Sequence, residues 1–134
     1  MQRLPVDMAQ YYCASLMGSY NGLMDLRLHR FTPAAHALSA FNGVYRAGNE
    51  LKITSEENEP YAIASKGDDG TTHLLLSTYK KPCTELDVTF EESGTVEVYE
   101  INEKGFDKKF EFKGNGIKMP VKDDTSVYYF KLKN

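Results

Sequence analysis

After Gly48 the chain alternates between short apolar–polar runs and turn-forming clusters, and this punctuation constrains its fold more than any other feature. The clusters are Asp68-Asp69-Gly70, Ser93-Gly94, Glu103-Lys104-Gly105, Lys113-Gly114-Asn115-Gly116 and Asp123-Asp124, all rich in residues that supply tight-turn backbone angles. The runs between them predict strands at Leu51–Thr54, Tyr61–Lys66, Thr72–Tyr79, Thr84–Glu91, Thr95–Asn102, Lys108–Lys113, Gly116–Pro120 and Ser126–Lys133. Leu86, Val88 and Phe90 alternate with polar residues, and Tyr128, Phe130 and Leu132 recur at the same spacing, so each strand has one buried face. About eight short antiparallel strands joined by tight turns make a β-sandwich or a small barrel. Nine Tyr and seven Phe without a Trp suit such a sheet.

One helix precedes the strands. Thr32 is an N-cap, and Pro33 occupies the first helical position, where its missing N–H is no loss. Gly48 supplies the stop, so the helix spans residues 33–47. Ala34, Leu38, Phe41 and Tyr45 recur at helical spacing, and this stripe is expected to pack against protein, with Phe41→Ala costing about 3–5 kcal/mol. Upstream, Val6–Ala14 reads as a buried strand, Gly18–Gly22 as a loop and Leu23–Leu28 as a short strand or extended piece.

With 134 residues, 41% apolar and 26% charged, the chain fits one globular unit and not a disordered tail. The net charge of −3 argues against an electrostatic nucleic-acid binder, and no run is apolar enough to span a membrane as a helix. Pro5 and Asp7 break any signal-peptide pattern, which leaves a cytosolic protein or a piece of a longer one, and the compartment stays open. Cys13 and Cys83 form no CxxC pair and read as two free, mostly buried thiols.

The stretches Pro5-Val6-Asp7-Met8-Ala9-Gln10-Tyr11-Tyr12, Tyr20-Asn21-Gly22-Leu23-Met24-Asp25 and Ala40-Phe41-Asn42-Gly43-Val44-Tyr45-Arg46-Ala47-Gly48-Asn49 resemble the end of the (β/α)8 barrel in retaining β-xylosidase and arabinofuranosidase-like glycoside hydrolases. That resemblance implies that residues 1–48 are the remnant of a barrel end, with Val6–Tyr12 as the last strand and 33–47 as the last helix. Residues 49–134 would then be the accessory sandwich. It further implies that the catalytic carboxylates lie upstream of Met1, and that the partner is the catalytic barrel of the same protein, a glycosidase acting on plant-type polysaccharide or oligosaccharide. Tyr12, Tyr20 and Asn21 would line the cleft of that parent enzyme; Cys13 stands where relatives often carry Asp. Without the barrel, Val6, Met8, Tyr11, Tyr12, Leu16 and Met17 would be exposed, and self-association through residues 1–30 is expected.

No catalytic, cofactor or metal site is read within the chain. Glycoside hydrolysis needs carboxylates about 5 Å or roughly 6.5–9.5 Å apart, but Glu56-Glu57-Asn58-Glu59 and Glu91-Glu92 flank turns and read as solvated. His29, His36 and His73 lack metal-ligand spacing. Asp68-Asp69-Gly70 reads as a hairpin turn because the alternating acids of a calcium loop are missing. Phe106–Lys113 reads as an edge strand guarded by lysines. Two functions from different classes follow: a non-catalytic domain supporting a catalytic barrel, or a carbohydrate-binding module with Tyr79, Tyr99 and Tyr128 as its sugar platform. An enzyme in its own right is the weakest reading.

Overall fold

The computed structural model describes residues 22–25, 27–55, 59–81, 83–122 and 125–134. Its elements in chain order are β1 (Met24–Asp25), β2 (Arg30–Phe31), α1 (Pro33–Ala47), β3 (Asn49–Glu50), β4 (Tyr61–Lys66), β5 (Thr72–Ser77), β6 (Glu85–Asn102), β7 (Gly105–Pro120) and β8 (Val127–Lys133). β1 and β2 form a small antiparallel hairpin, and the other six strands form one antiparallel sheet in the order β3-β4-β5-β8-β6-β7. Among the described residues the fold is mainly β, with eight antiparallel strands and one helix.

Ser93-Gly94 and Lys113–Gly116 do not end strands, contrary to their reading as turns. β6 runs through the first cluster and β7 through the second, and Gly94 pairs with Gly114 where both strands bend together. A side chain on Gly94 would collide with the Lys133 carbonyl and with Leu132 Cδ1; the close approach of β8 therefore requires glycine there. Lys66 Nζ holds Glu92 beside the bend at 2.6 Å.

Only the second half of β6 pairs with β8, over Thr95–Glu100. The first half, with the end of β7, folds across one face of the sheet and makes the second layer of the sandwich. Leu86, Val88, Phe90 and Met119 from that layer meet Leu74, Leu76, Val96, Val98, Phe130 and Leu132 in one buried cluster. Phe90 and Phe130 stack edge to face with centroids 6.5 Å apart.

α1 covers the opposite face. The Thr32 hydroxyl accepts from Ala35 N–H, and Gly48, at φ +92°, closes the helix through its N–H to the Tyr45 carbonyl. The residues turned to the sheet are Ala37, Ala40 and Val44, which pack on Ile63, Leu75, Tyr99, Ile101, Val127 and Tyr129. The expected stripe is therefore not the packed one. Leu38, Phe41 and Tyr45 are 39, 40 and 75% exposed, against 1 and 4% for Ala40 and Val44. Side-chain size is the reason: Gly43 lies so near Tyr129 that a Cβ would stand 3.1 Å from its hydroxyl. At that separation only small residues fit beneath the helix. Ser65 completes the junction by donating to the Val44 carbonyl at 2.6 Å.

Other expectations met the structure more directly. The helix bounds agree, β7 is the edge strand with Lys108 and Lys109 on it, and Asp69 caps the β4–β5 turn by accepting from Thr71 N–H at 2.9 Å. Leu51–Thr54 is not a strand; the ladder on β4 is carried by Asn49–Glu50, with one further bond from Leu51 N–H to the Ala64 carbonyl. Cys83 is half-buried against the sandwich interior. Val6, Met8, Tyr11, Tyr12, Cys13, Leu16 and Met17 lie outside the described residues.

Candidate functional site

Two surfaces and one recess are the candidate sites among the described residues. The first surface is the outer face of α1. Nine large apolar side chains are exposed among the described residues, and five of them, Leu28, Phe31, Leu38, Phe41 and Tyr45, belong to the β1–β2 hairpin and α1. Clustering of this kind marks an interaction surface, whereas isolated exposed apolar residues are ordinary. The sequence between Asp25 and Glu50 contains no carboxylate but has Arg27, Arg30 and Arg46, all exposed. Arg27 and Arg30 lie on the hairpin beside this apolar face, while Arg46 lines a recess with Asp68 and Asp69. His36 leans edge-on to Phe31 at 6.2 Å, which ties the hairpin to the helix.

The second surface is a crevice of about 310 Å³ at one open end of the sandwich, lined by Glu100, Lys109, Phe110, Met119, Pro120 and Tyr128 among others. Glu100 and Tyr128 face each other across the β6–β8 ladder. Val96, Val98 and Glu100 occupy successive inward positions of β6, so a carboxylate stands where the alternation calls for a third apolar residue. Lys109 Nζ reaches it at 2.7 Å, and Glu100 is 9% exposed. Tyr128 is 3% exposed, and its hydroxyl makes no hydrogen bond within the described residues, although no side-chain polar atom among them is both fully enclosed and unpaired. The hydroxyl therefore opens onto the crevice.

The recess lies beside the C-terminal end of α1, among Gly43, Arg46, Gly67, Asp68, Asp69 and His73. His73 Nδ1 bonds the Tyr129 hydroxyl. Burial pulls the His73 pKa below its ordinary value, the positive charge of Lys131 adds to this, and Asp69 opposes it. Burial also raises the Tyr129 pKa. Both shifts follow from packing beneath the helix, and the Asp69 carboxylate is already engaged by Thr71, so this group is a structural junction.

The sequence-nominated residues do not assemble. Tyr79 is 54% exposed with the Lys80 ammonium 5.2 Å from its ring. Tyr99 packs edge-on against Phe106 at 6.2 Å and leans on Tyr129 on the helix side of the sheet. Tyr128 is buried on the other side. These three rings share no exposed plane, because alternation along β6 and β8 sends Tyr99 and Tyr128 to opposite faces. Tyr12, Tyr20 and Asn21 lie outside the described residues. Sequence reasoning missed Glu100, Lys109 and Phe110, and the signal for the first was the break in the Val96-x-Val98-x-Glu100 pattern.

Elsewhere the charges are structural. Glu97 accepts from Lys133 at 2.8 Å and from Lys108 at 3.0 Å. Those bonds, and then the lysine charges, hold its carboxyl at about 2. Among the described residues no three His, Cys, Asp or Glu side chains converge as a metal site. No protein-family model matches the sequence and no curated protein matches it, so the reading of the site rests on its own geometry.

Proposed function

We propose that this chain is the non-catalytic C-terminal β-sandwich of a glycoside hydrolase, and that it supports the catalytic barrel of the same protein through α1. The observation that carries the docking part is the two-sided helix. Its small-residue side is fixed to the sheet, while Leu38, Phe41 and Tyr45 form a second apolar side turned outward. A helix needs only one buried stripe to be stable, so the outer stripe is available to a partner surface. The glycosidase assignment itself rests on the resemblance of residues 5–12, 20–25 and 40–49 to a barrel end.

The test has two arms. Purified 1–134 is expected to release no product from aryl β-xylosides, arabinofuranosides or β-glucosides; turnover abolished by changing one acid of this chain overturns the non-catalytic reading. The natural open reading frame is expected to continue upstream of Met1 into a catalytic barrel. In that full-length protein, Phe41→Lys should lower the melting midpoint of the barrel while leaving isolated 1–134 nearly unchanged. A frame that begins at Met1, or a barrel indifferent to Phe41→Lys, overturns the supporting role.

A further inference from the structure

We propose that Asn115 is a site of spontaneous covalent modification, where the Gly116 main-chain nitrogen closes on the side-chain amide and water opens the ring. The site lies at the bend of β6 and β7 and involves no residue of the α1 docking face. Among the described residues Asn precedes Gly twice, at Asn42-Gly43 and at Asn115-Gly116. A glycine in second place leaves no side chain to obstruct the closure. Both asparagines are exposed, so exposure does not separate them. The backbone does.

Gly43 lies inside α1, where its N–H points along the helix axis into the main-chain ladder. Gly116 stands opposite Thr89, on the ladder that begins with the Val121 N–H donating to the Thr84 carbonyl. Bonded and non-bonded pairs alternate along an antiparallel ladder. Counting from the bonded Thr84–Val121 pair makes Glu85–Pro120 a non-bonded pair, which suits a proline without an N–H, and makes Thr89–Gly116 another. The Gly116 N–H therefore points away from β6, to the open side of the edge strand. Asn115 is skipped altogether, because the register passes from Thr89↔Gly116 to Gly94↔Gly114. Its Nδ2 donates to the Phe90 carbonyl at 3.4 Å, longer than the usual range of about 2.7–3.2 Å, so the amide is loosely held.

In the step, the Gly116 nitrogen loses its proton and bonds to Asn115 Cγ. The Cγ–Nδ2 bond breaks and Nδ2 leaves as ammonia with that proton. Water then adds to either carbonyl of the five-membered imide, giving aspartate or isoaspartate; nothing is oxidised or reduced. Either product replaces the Nδ2 donor by a carboxylate oxygen facing the Phe90 carbonyl. Isoaspartate also routes the β7 main chain through the side-chain methylene, at the bend that carries the second layer across the sheet.

The experiment incubates 1–134 in warm, mildly alkaline buffer, native and in urea, and follows the peptides carrying Asn42 and Asn115 by chromatography and mass. In the native chain Asn115 should convert several-fold faster than Asn42, whose reaction waits on opening of the helix, and isoaspartate should be among the products. In urea the two rates should converge, since both sites are then Asn-Gly in an open chain. Gly116→Ala should slow conversion of Asn115 several-fold; the added Cβ meets Thr89 Oγ1 at 3.4 Å, an ordinary contact. The proposal is overturned if native Asn42 converts as fast as Asn115, if the native fold protects Asn115 as strongly as it protects Asn42, or if aspartate forms without isoaspartate.

Discussion

The inner and outer sides of α1 are built from different residues for different reasons. The inner side carries Ala37, Ala40, Gly43 and Val44 and lies close enough to the sheet that a Cβ at Gly43 would stand 3.1 Å from the Tyr129 hydroxyl. The outer side carries Leu38, Phe41 and Tyr45, which belong to neither buried cluster among the described residues. The larger hydrophobic side chains are therefore on the less buried side. Apolar content locates a helix, but the size of its side chains decides which side can approach a sheet closely. The outer stripe stays exposed to solvent.

The largest expected effect comes from placing a charge in the inner seam. Val44→Asp would bury a carboxylate among the apolar side chains of the seam and should cost more than about 3 kcal/mol, measured by urea unfolding. A loss below about 1 kcal/mol would mean that the seam is open to water. Ala40→Leu tests the tightness of the same seam: overpacking should cost about 1–3 kcal/mol, and a neutral result would show slack between helix and sheet.

On the outer side, Phe41→Ala should cost under about 1 kcal/mol in the isolated chain, since its ring is 40% exposed. This replaces the 3–5 kcal/mol that full burial implied. A loss near the larger figure would reverse the assignment of the two sides.

A smaller effect is read through pH. The His73 pKa is lowered in the folded state chiefly by burial, so the unfolded chain takes up a proton first as pH falls. Stability tied to this group is present above the ordinary histidine value of 6.5 and is lost as pH drops below it. His73→Gln should flatten that part of the stability profile; an unchanged slope would show that His73 is not held neutral under the helix. The ion pairs of Glu97 act lower. Its carboxyl titrates at about 2 instead of 4.5, so its contribution is present above pH 4.5 and disappears as pH falls toward 2. Screening by solvent keeps this contribution to about 1 kcal/mol, and it should fade in high salt.

The helix was legible almost to the residue, because Thr32, Pro33 and Gly48 are local signals whose meaning does not depend on the rest of the fold. The strands were legible through alternation, as at Leu86, Val88 and Phe90. Their lengths were not. Gly94 and Gly114 read equally as turn residues or as paired bends, and only the approach of Leu132 and Lys133 decides between them. The same limit governs the candidate sites. Tyr99 and Tyr128 look alike in composition, yet neighbouring strands send them to opposite faces, and Glu100 gains its place beside Tyr128 only through the pairing of β6 with β8.

The central claim, that α1 keeps its small side on the sheet and turns its large side outward, is tested most directly without any mutation. A soluble paramagnetic chelate added to 1–134, at a concentration where sedimentation shows a single monomeric species, broadens the NMR signals of solvent-exposed side chains. The Phe41 and Tyr45 rings and the Leu38 methyls should broaden strongly, while the Ala40 and Val44 methyls stay sharp. Broad Ala40 and Val44 signals beside protected Phe41 and Tyr45 rings would contradict the account.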